Sequence, residues 1–180
     1  SLITGHVGRP GTGLHPLRGQ NNVQGASDAG LIPMVYPNYQ SVEDVDIRNF
    51  FEDKWGRSLD PTKGLTVVEI MNRIVSSQMF GMYVMGENPA MSDPDQNHAR
   101  LALSKLQHLV VQDIFFTETA WFADVIFPAS AQPEKAGTYT NSNRQVQIGF
   151  PVRKTPGEAK QDWKLIVDLA KRCGLNWDYK

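Results

Sequence analysis

The chain has 180 residues, 41% of them hydrophobic and 21% charged, which is ordinary for a globular protein with room for one domain and a core. Its net charge of −1 gives no bulk attraction to nucleic acid or an anionic membrane, and no apolar run is long enough for a membrane span or resembles a signal peptide. The single cysteine, Cys173, excludes an internal disulfide and a cysteine-held metal cluster, and it favours a reduced, cytoplasmic setting.

Residues 1–40 are rich in Gly, Pro and Asn and show neither helical nor strand periodicity. A loop-dominated stretch of this length is unusual inside a compact domain. We therefore expect a long irregular N-terminal arm, either disordered or a specialised binding loop, and its Leu, Val, Ile and Tyr residues favour a loop that packs on something. The chain starts at Ser1 without a Met, which fits a segment excised from a longer protein.

Regular elements are predicted from residue 41 onward. Residues 41–56 indicate a helix, with acidic residues near its positive end and a glycine at its exit. Thr66 and Glu69 form a capping-box pattern that begins a second helix. The short apolar run at 82–85 predicts a buried strand, and Asp93, which precedes a proline, is the predicted N-cap of the next helix.

The second half of the chain continues this alternation. The further predicted elements are strands at 109–111 and 124–127, one or two helical turns at 118–123 between them, edge strands at Tyr139 and 145–148, and a last helix from Trp163 to Gly174.

The order strand, helix, strand, helix, strand indicates a doubly wound α/β fold with a mostly parallel sheet and helices on both faces. In such sheets ligands bind at the carboxyl ends of the strands. Here those ends fall at residues 86–88, 112–113 and 128–129, which are all polar or turn-forming. They make one candidate ligand-binding rim.

Several residues near this rim have chemistry that suits a nucleotide. Gly86 lets the backbone approach a ligand closely, and Asn88 offers both a donor and an acceptor. Asp113 could accept hydrogen bonds from a guanine edge or a ribose, and Lys135 is a counter-charge for a diphosphate. Taken singly, each is more often a solvated loop residue. The fingerprints GxGxxG and GxxxxGK[ST] are missing, so an ordinary dinucleotide or nucleoside triphosphate loop is not supported.

Residues 16–25 read PLRGQNNVQG, and this string resembles a segment of the molybdenum- or tungsten-dependent formate dehydrogenases. The resemblance continues in chain order through residues 27–30, 36–40, 85–89, 111–120, 123–125 and 134–138. The chain departs from the family pattern at Ser27, Ala29 and Asn38, where Cys, Met and Gly are common, and at Asn143, where Glu usually precedes the arginine. These departures suggest a divergent branch of the family.

The resemblance implies a cofactor and its contacts. The large subunit of these enzymes binds two molybdopterin guanine dinucleotides around one metal, and a Rossmann-like domain such as residues 41–180 holds one of them. The residues that match cofactor-binding positions are Gly86, Glu87 and Asn88 in the first strand-end loop, Gln112 and Asp113 in the second, Lys135 near the phosphate and pterin, and Asp162 near the guanine. For Asp162 an alternative is the N-cap of the last helix.

Arg18 and Gln20 match the catalytic positions of the string. In the resembling enzymes the arginine lies beside the metal and orients formate, which suits a guanidinium because it holds a carboxylate with two parallel hydrogen bonds and stays charged. The glutamine lies close to the pterin and the metal. The metal's own ligand, cysteine or selenocysteine, lies upstream of this segment in the family, so no metal ligand is expected among these residues. His15 directly precedes the string and is a weaker candidate for a functional residue.

The resemblance therefore predicts a fragment of a formate dehydrogenase catalytic subunit, with residues 1–40 as an active-site loop segment. Its partners are formate, the remaining domains of the same chain, which hold an iron–sulfur cluster, and electron-transfer subunits. The fragment alone is expected to be inactive, with residues 1–40 partly disordered. The alternatives are another molybdopterin oxidoreductase that acts on nitrate or an arsenic oxyanion, a non-catalytic homologue such as the large iron–sulfur subunit of NADH dehydrogenase, and a plain nucleotide-binding module.

Overall fold

A computed structural model describes residues 1–177 and residue 179. The chain divides into two units, each with its own internal contacts. The first, here called the hairpin unit, comprises Ser1–Gly64 and Gly137–Gly149, and the second, here called the sheet unit, comprises Leu65–Ala136 and Phe150–Lys180.

The described residues form six α-helices and seven strands, each numbered in chain order. The helices are α1 (Val23–Asp28), α2 (Val45–Trp55), α3 (Val67–Val75), α4 (Pro89–Ser92), α5 (Gln96–Lys105) and α6 (Asp162–Arg172), and the strands are β1 (Val35–Tyr36), β2 (Gln40–Ser41), β3 (Gly81–Met85), β4 (His108–Asp113), β5 (Val125–Pro128), β6 (Gly137–Thr140) and β7 (Val146–Gly149). Short 3-10 helices occur at Pro37–Tyr39, Ala120–Phe122 and Gln132–Glu134.

The sheet unit is built on three parallel strands in the order β3-β4-β5. Its main core joins Val84 of β3, Leu109 and Val111 of β4, and Leu103 of α5, all almost completely buried. Apolar residues on consecutive positions of β4 are expected where a parallel strand is covered on both faces. The predicted α/β fold with a parallel sheet is thereby confirmed.

The helix ends of the sheet unit follow local capping chemistry. Thr66 and Glu69 make the capping box that the sequence predicts, with the Thr66 Oγ1 accepting from the backbone of Glu69. The prediction that Asp93 caps the next helix is wrong. A separate short helix, α4, ends there, and Asp95 caps α5 by accepting from the backbone N–H of His98 at 3.0 Å.

The hairpin unit has a small core of Tyr36, Val42 and Phe51, on which Ile47 and Leu59 pack. Helix α2 begins at Val45 rather than at residue 41, which lies in β2. Its N-cap is Asp44, whose side chain accepts from two backbone N–H groups. The antiparallel pairs β1–β2 and β6–β7 complete the unit.

Helix α1 lies inside the segment for which the sequence predicts an irregular arm. That prediction is wrong for residues 23–36, which include α1 and β1, whereas residues 1–22 contain no helix or strand. The buried side chains of α1 are Gln24 and Ser27, both polar. An apolar periodicity therefore could not reveal this helix.

Within residues 1–177 and 179, no helix is long and apolar enough to cross a membrane.

The turn after α1 packs closely on residues 36–37 at Gly30. The φ of Gly30 is +88°, and a Cβ there would lie 2.7 Å from the backbone nitrogen of Pro37. Gly56 also has a left-handed φ, +63°, but a Cβ there meets no atom within 4 Å. We expect Gly56→Ala to destabilise the fold by about 1 kcal/mol from backbone strain alone. Gly30→Ala should cost about 1–3 kcal/mol more because it adds a backbone clash.

Urea denaturation followed by circular dichroism measures both changes in the free energy of unfolding. Equal losses for the two substitutions would contradict the close approach of Gly30 to residues 36–37.

Candidate functional site

The carboxyl ends of β3 and β4 are joined at Gly86. Its backbone N–H donates to the carbonyl oxygen of Gln112 at 2.9 Å. Gly86 has a φ of +64°, and nothing lies within 4 Å of the position where a Cβ would be. A left-handed glycine beside open space leaves its backbone accessible to a ligand.

Gln112 is completely buried at the end of β4, and its side-chain amide is satisfied on both sides. Its Oε1 accepts from the Tyr83 hydroxyl at 2.5 Å, and its Nε2 donates to the Asp162 Oδ1 at 2.7 Å. Partial burial and then the negative charge of Asp162 raise the pKa of Tyr83 above its usual value. Gln112 therefore positions Asp162 rather than presenting its own amide to solvent.

Asp162 and Lys135 form an ion pair, with the lysine Nζ bound to the aspartate Oδ2. The alternative in which Asp162 is the N-cap of the last helix is wrong, because Gln161 occupies that position and Asp162 is the first residue of α6. Lys135 follows the buried Glu134, whose Oε2 accepts from the backbone N–H of Ala131 and whose Oε1 lies 3.4 Å from the Arg153 Nε. The resemblance assigns Lys135 and Asp162 to different parts of the cofactor, and the structure brings them into contact.

The Asn88 side chain fastens the loop after β3 to the loop after β4. Its Oδ1 accepts from the Thr119 backbone N–H at 3.1 Å and from the Thr119 hydroxyl at 2.7 Å, while its Nδ2 donates to the Glu118 Oε2 at 2.7 Å. The hydrogen bond from Asn88 is the main cause that holds the pKa of Glu118 below its usual value. Both polar groups that Asn88 could offer to a ligand are thus bonded within the protein.

Glu87 and Asp113 each stabilise their own loop. The Glu87 Oε1 accepts from the backbone of Asn88 and from the Ser92 hydroxyl at 2.7 Å. The Asp113 Oδ1 accepts from the backbone N–H groups of residues 114 and 115 at 2.6 and 3.2 Å. These bonds shape the rim, and contact of either carboxylate with a cofactor stays a prediction.

Ser130 is a further candidate that sequence reasoning missed. It follows β5, it is almost completely buried, and its hydroxyl is a buried group without a hydrogen-bond partner among the described residues. Such a group is rare unless water or a ligand satisfies it. Tyr83 was missed as well, although a tyrosine and a glutamine near the ends of two otherwise apolar strands are a usable signal.

Arg18 and Gln20 both lie in the hairpin unit. Both line a cavity of about 270 Å³, together with His15, Gln24 and residues 140–142 of the β6–β7 hairpin. The structure therefore brings together the two residues that the sequence predicts as catalytic. The string is attached to that hairpin by Asn22, whose side chain donates to the Thr138 carbonyl at 3.3 Å and accepts from the Thr140 N–H at 2.9 Å.

Among the described residues, the Arg18 guanidinium makes one side-chain hydrogen bond. Its Nη2 donates to the Gln24 Oε1 at 3.0 Å. Gln24 donates in turn to Asp28 at 2.9 Å and to the Tyr39 hydroxyl at 3.2 Å, and Arg144 donates to the same Asp28 oxygen at 3.0 Å. Arg18 as a whole is an exposed residue that lines the cavity.

The chain matches the family model of the molybdopterin oxidoreductases over residues 1–172. It is 50% identical over 174 residues to the F420-dependent formate dehydrogenase subunit alpha of Methanocaldococcus jannaschii and 45% identical over 174 residues to the F420-dependent formate dehydrogenase 1 subunit alpha of Methanococcus maripaludis. Both alignments cover 97% of this chain and 25% of the relative, so the chain spans about a quarter of the length of these curated relatives.

Among solved structures, the acetylene hydratase from Pelobacter acetylenicus matches 60% of this chain and 16% of its own with a TM-score of 0.55 at 24% identity. This likeness shows a shared fold.

The raised pKa of Tyr83 gives a direct test of the Tyr83–Gln112–Asp162 arrangement. We expect Asp162→Asn to lower this pKa, since it removes a negative charge that opposes phenolate formation, while burial keeps it above the usual value. The pKa is measured by absorbance at 295 nm as the difference between each protein and its Tyr83→Phe variant. Asp168→Asn, on the same helix and exposed, is the matched control.

The same shift has a consequence for stability. The pKa of Tyr83 in the folded protein lies above that of a tyrosine in the unfolded chain, which is about 10. The stabilisation that Tyr83 gives to the folded state is therefore fully present below the unfolded pKa and is lost as the pH rises through the folded pKa.

An unchanged pKa of Tyr83 in Asp162→Asn would show that Asp162 does not act on Tyr83.

Proposed function

Because this chain belongs to the molybdopterin oxidoreductase family, we propose that it is part of the catalytic subunit of a formate dehydrogenase. In this proposal the sheet unit binds one molybdopterin guanine dinucleotide and the hairpin unit supplies the arginine that orients formate. The observation that carries it is Arg18, an exposed residue that lines a cavity and whose guanidinium donates to a neutral amide. Two relatives named formate dehydrogenase alpha subunits, at 45–50% identity, support it.

The residues at the strand ends fit a dinucleotide with a diphosphate. Gly86 offers an open backbone position, and the Ser130 hydroxyl is a buried polar group that a ligand could satisfy. Lys135 supplies a positive charge. We propose that Gly86, Glu87 and Asn88 form the first side of the cofactor site.

The second side of the cofactor site is proposed to comprise Gln112, Asp113, Lys135 and Asp162. An incoming phosphate would compete with Asp162 for Lys135, and the released carboxylate could then accept hydrogen bonds from a guanine edge. The fully buried Gln112 contributes by keeping Asp162 in place.

When bound, the cofactor's metal, molybdenum or tungsten, supplies the acceptor for two electrons. Formate oxidation yields carbon dioxide, one proton and those two electrons. Arg18 does not take the proton, because a guanidinium remains protonated at any working pH. Its contribution is to bind the carboxylate with parallel charge-assisted hydrogen bonds and so to fix the direction of the C–H bond. Gln20, on the same cavity wall, is proposed to contact the pterin side of the site.

The electrons must leave through groups outside this chain. Cys173 is the single cysteine, so the chain cannot hold an iron–sulfur cluster by cysteines alone. We propose that such a cluster lies elsewhere in the full-length chain and passes electrons to partner subunits, as the name subunit alpha of the relatives suggests. The cytoplasmic location expected from the cysteine content stays a prediction.

The proposal is tested with the full-length catalytic subunit, purified anaerobically, by formate-dependent reduction of a viologen dye. We expect activity in the native protein, and we expect Arg18→Ala to lower kcat/KM for formate by at least about 100-fold, since two charge-assisted hydrogen bonds are lost. Metal content should be unchanged. Arg57→Ala, which removes an exposed arginine outside the cavity, should retain native activity.

Metal-loaded protein without formate oxidation would overturn the assignment and point to another oxyanion substrate. Protein that binds neither metal nor cofactor would favour a non-catalytic homologue.

A further inference from the structure

We propose that Gln24 and Asp28 are positioning residues that hold the Arg18 guanidinium in its orientation toward the cavity. This inference rests on the proposed function, because it assigns to these residues the alignment of the formate-binding arginine. It is carried by a chain of side-chain hydrogen bonds from Arg18 to Gln24, from Gln24 to Asp28, and from Arg144 to Asp28.

The amide of Gln24 has one permitted orientation. Its side chain is 8% exposed, so its polar groups must be satisfied inside the protein. Its Nε2 lies 2.9 Å from the Asp28 Oδ1, and an ionised carboxylate only accepts hydrogen bonds. The NH2 group must therefore face Asp28 and the oxygen must face Arg18, where it accepts at 3.0 Å.

Asp28 keeps the charge that this orientation needs. The hydrogen bond from Arg144, with smaller help from the one donated by Gln24, holds the pKa of Asp28 below its usual value. The ion pair joins two segments of the chain, because Arg144 lies on the β6–β7 turn and Asp28 is the last residue of α1. The carboxylate is thus fixed in position as well as in charge.

The second hydrogen of the Gln24 amide is also used. It faces the Tyr39 hydroxyl, with an N–O distance of 3.2 Å. Tyr39 and the preceding Asn38 both have left-handed φ values, 59° and 62°, which non-glycine residues adopt at a cost. This backbone turn directs the hydroxyl toward the amide. The Tyr39 hydroxyl can accept or donate, so the acceptor-only carboxylate of Asp28 is the group that fixes the orientation of the Gln24 amide.

A neutral amide suits the task better than a carboxylate would. If Asp28 paired directly with Arg18, the ion pair would neutralise the guanidinium and compete with formate for its N–H groups. Gln24 separates the two charges and occupies one of the five N–H donors of the arginine. The remaining donors stay free for an anionic substrate, and the negative charge of Asp28 acts on Arg18 only through space, without a hydrogen bond.

The test uses the full-length holoenzyme and the isosteric substitution Asp28→Asn. An asparagine can present either its oxygen or its NH2 group to Gln24, so the Gln24 amide is no longer held in the one orientation that turns its oxygen toward Arg18. We expect kcat/KM for formate to fall about tenfold or more, mainly through a higher KM. Asp28→Glu keeps an acceptor-only group and should retain most of the activity. Asp53→Asn, an exposed aspartate on α2, is the control that should match the native enzyme.

Two further measurements separate positioning from general stability. In an Arg18→Ala background, Asp28→Asn should cause no additional loss, because its effect passes through the arginine. In the holoenzyme with Arg18, modification of Arg18 by phenylglyoxal, followed by peptide mass spectrometry, should become several-fold faster in Asp28→Asn. If that variant loses its metal, Gln24→Met replaces it in both measurements.

The outcomes distinguish the two proposals. A native enzyme that oxidises formate, with kcat/KM and Arg18 modification unchanged in Asp28→Asn, would overturn the positioning role and leave the proposed function intact. A native enzyme without formate oxidation would overturn the proposed function, and the modification rate would still decide whether Gln24 and Asp28 hold Arg18.

Discussion

A buried side-chain amide must satisfy a donor and an acceptor at once, and this constraint organises both units of the protein. In the hairpin unit, Gln24 accepts from Arg18 and donates to Asp28. In the sheet unit, Gln112 accepts from Tyr83 and donates to Asp162. Each aspartate is in turn paired with a cation. Because both amides are buried, an unpaired polar group on either one would be costly, which favours one arrangement of each network.

Lys135 of the sheet unit and Arg18 of the hairpin unit have different hydrogen-bond partners. Lys135 is in direct contact with Asp162, so an anion that binds the lysine must displace a carboxylate. Arg18 contacts only a neutral oxygen in its network and therefore needs no such exchange. In the proposed function, a ligand of the sheet unit would replace this internal ion pair and satisfy both partners. The Arg18 cation of the hairpin unit has no direct contact with a carboxylate, which would suit a small anion that must bind and leave in every turnover.

The sequence predicted the elements whose signals are local and missed those that depend on tertiary contacts. The capping box at Thr66 and the apolar run of β4 are read from neighbouring residues, and both were confirmed. Helix α1 was missed because its buried residues are polar. The sequence does not distinguish Asp93 from Asp95 as the helix cap, because both are aspartates adjacent to the same proline. The resemblance predicts catalytic roles for Arg18 and Gln20, which share a cavity wall, and those roles stay predictions. No spacing rule could pair Gln112 with a residue fifty positions away.

The loop that carries Arg18 owes its position to polar contacts rather than to an apolar core. Asn22 bonds with the backbone of β6 through both its donor and its acceptor, and the Ser142 hydroxyl donates to the Pro16 carbonyl at 3.2 Å. Arg144 adds the ion pair to Asp28 from the same hairpin. Polar contacts of this kind fix direction more sharply than apolar packing, because each requires a defined donor angle. A loop that must aim one guanidinium therefore gains more from a hairpin edge than from additional hydrophobic side chains.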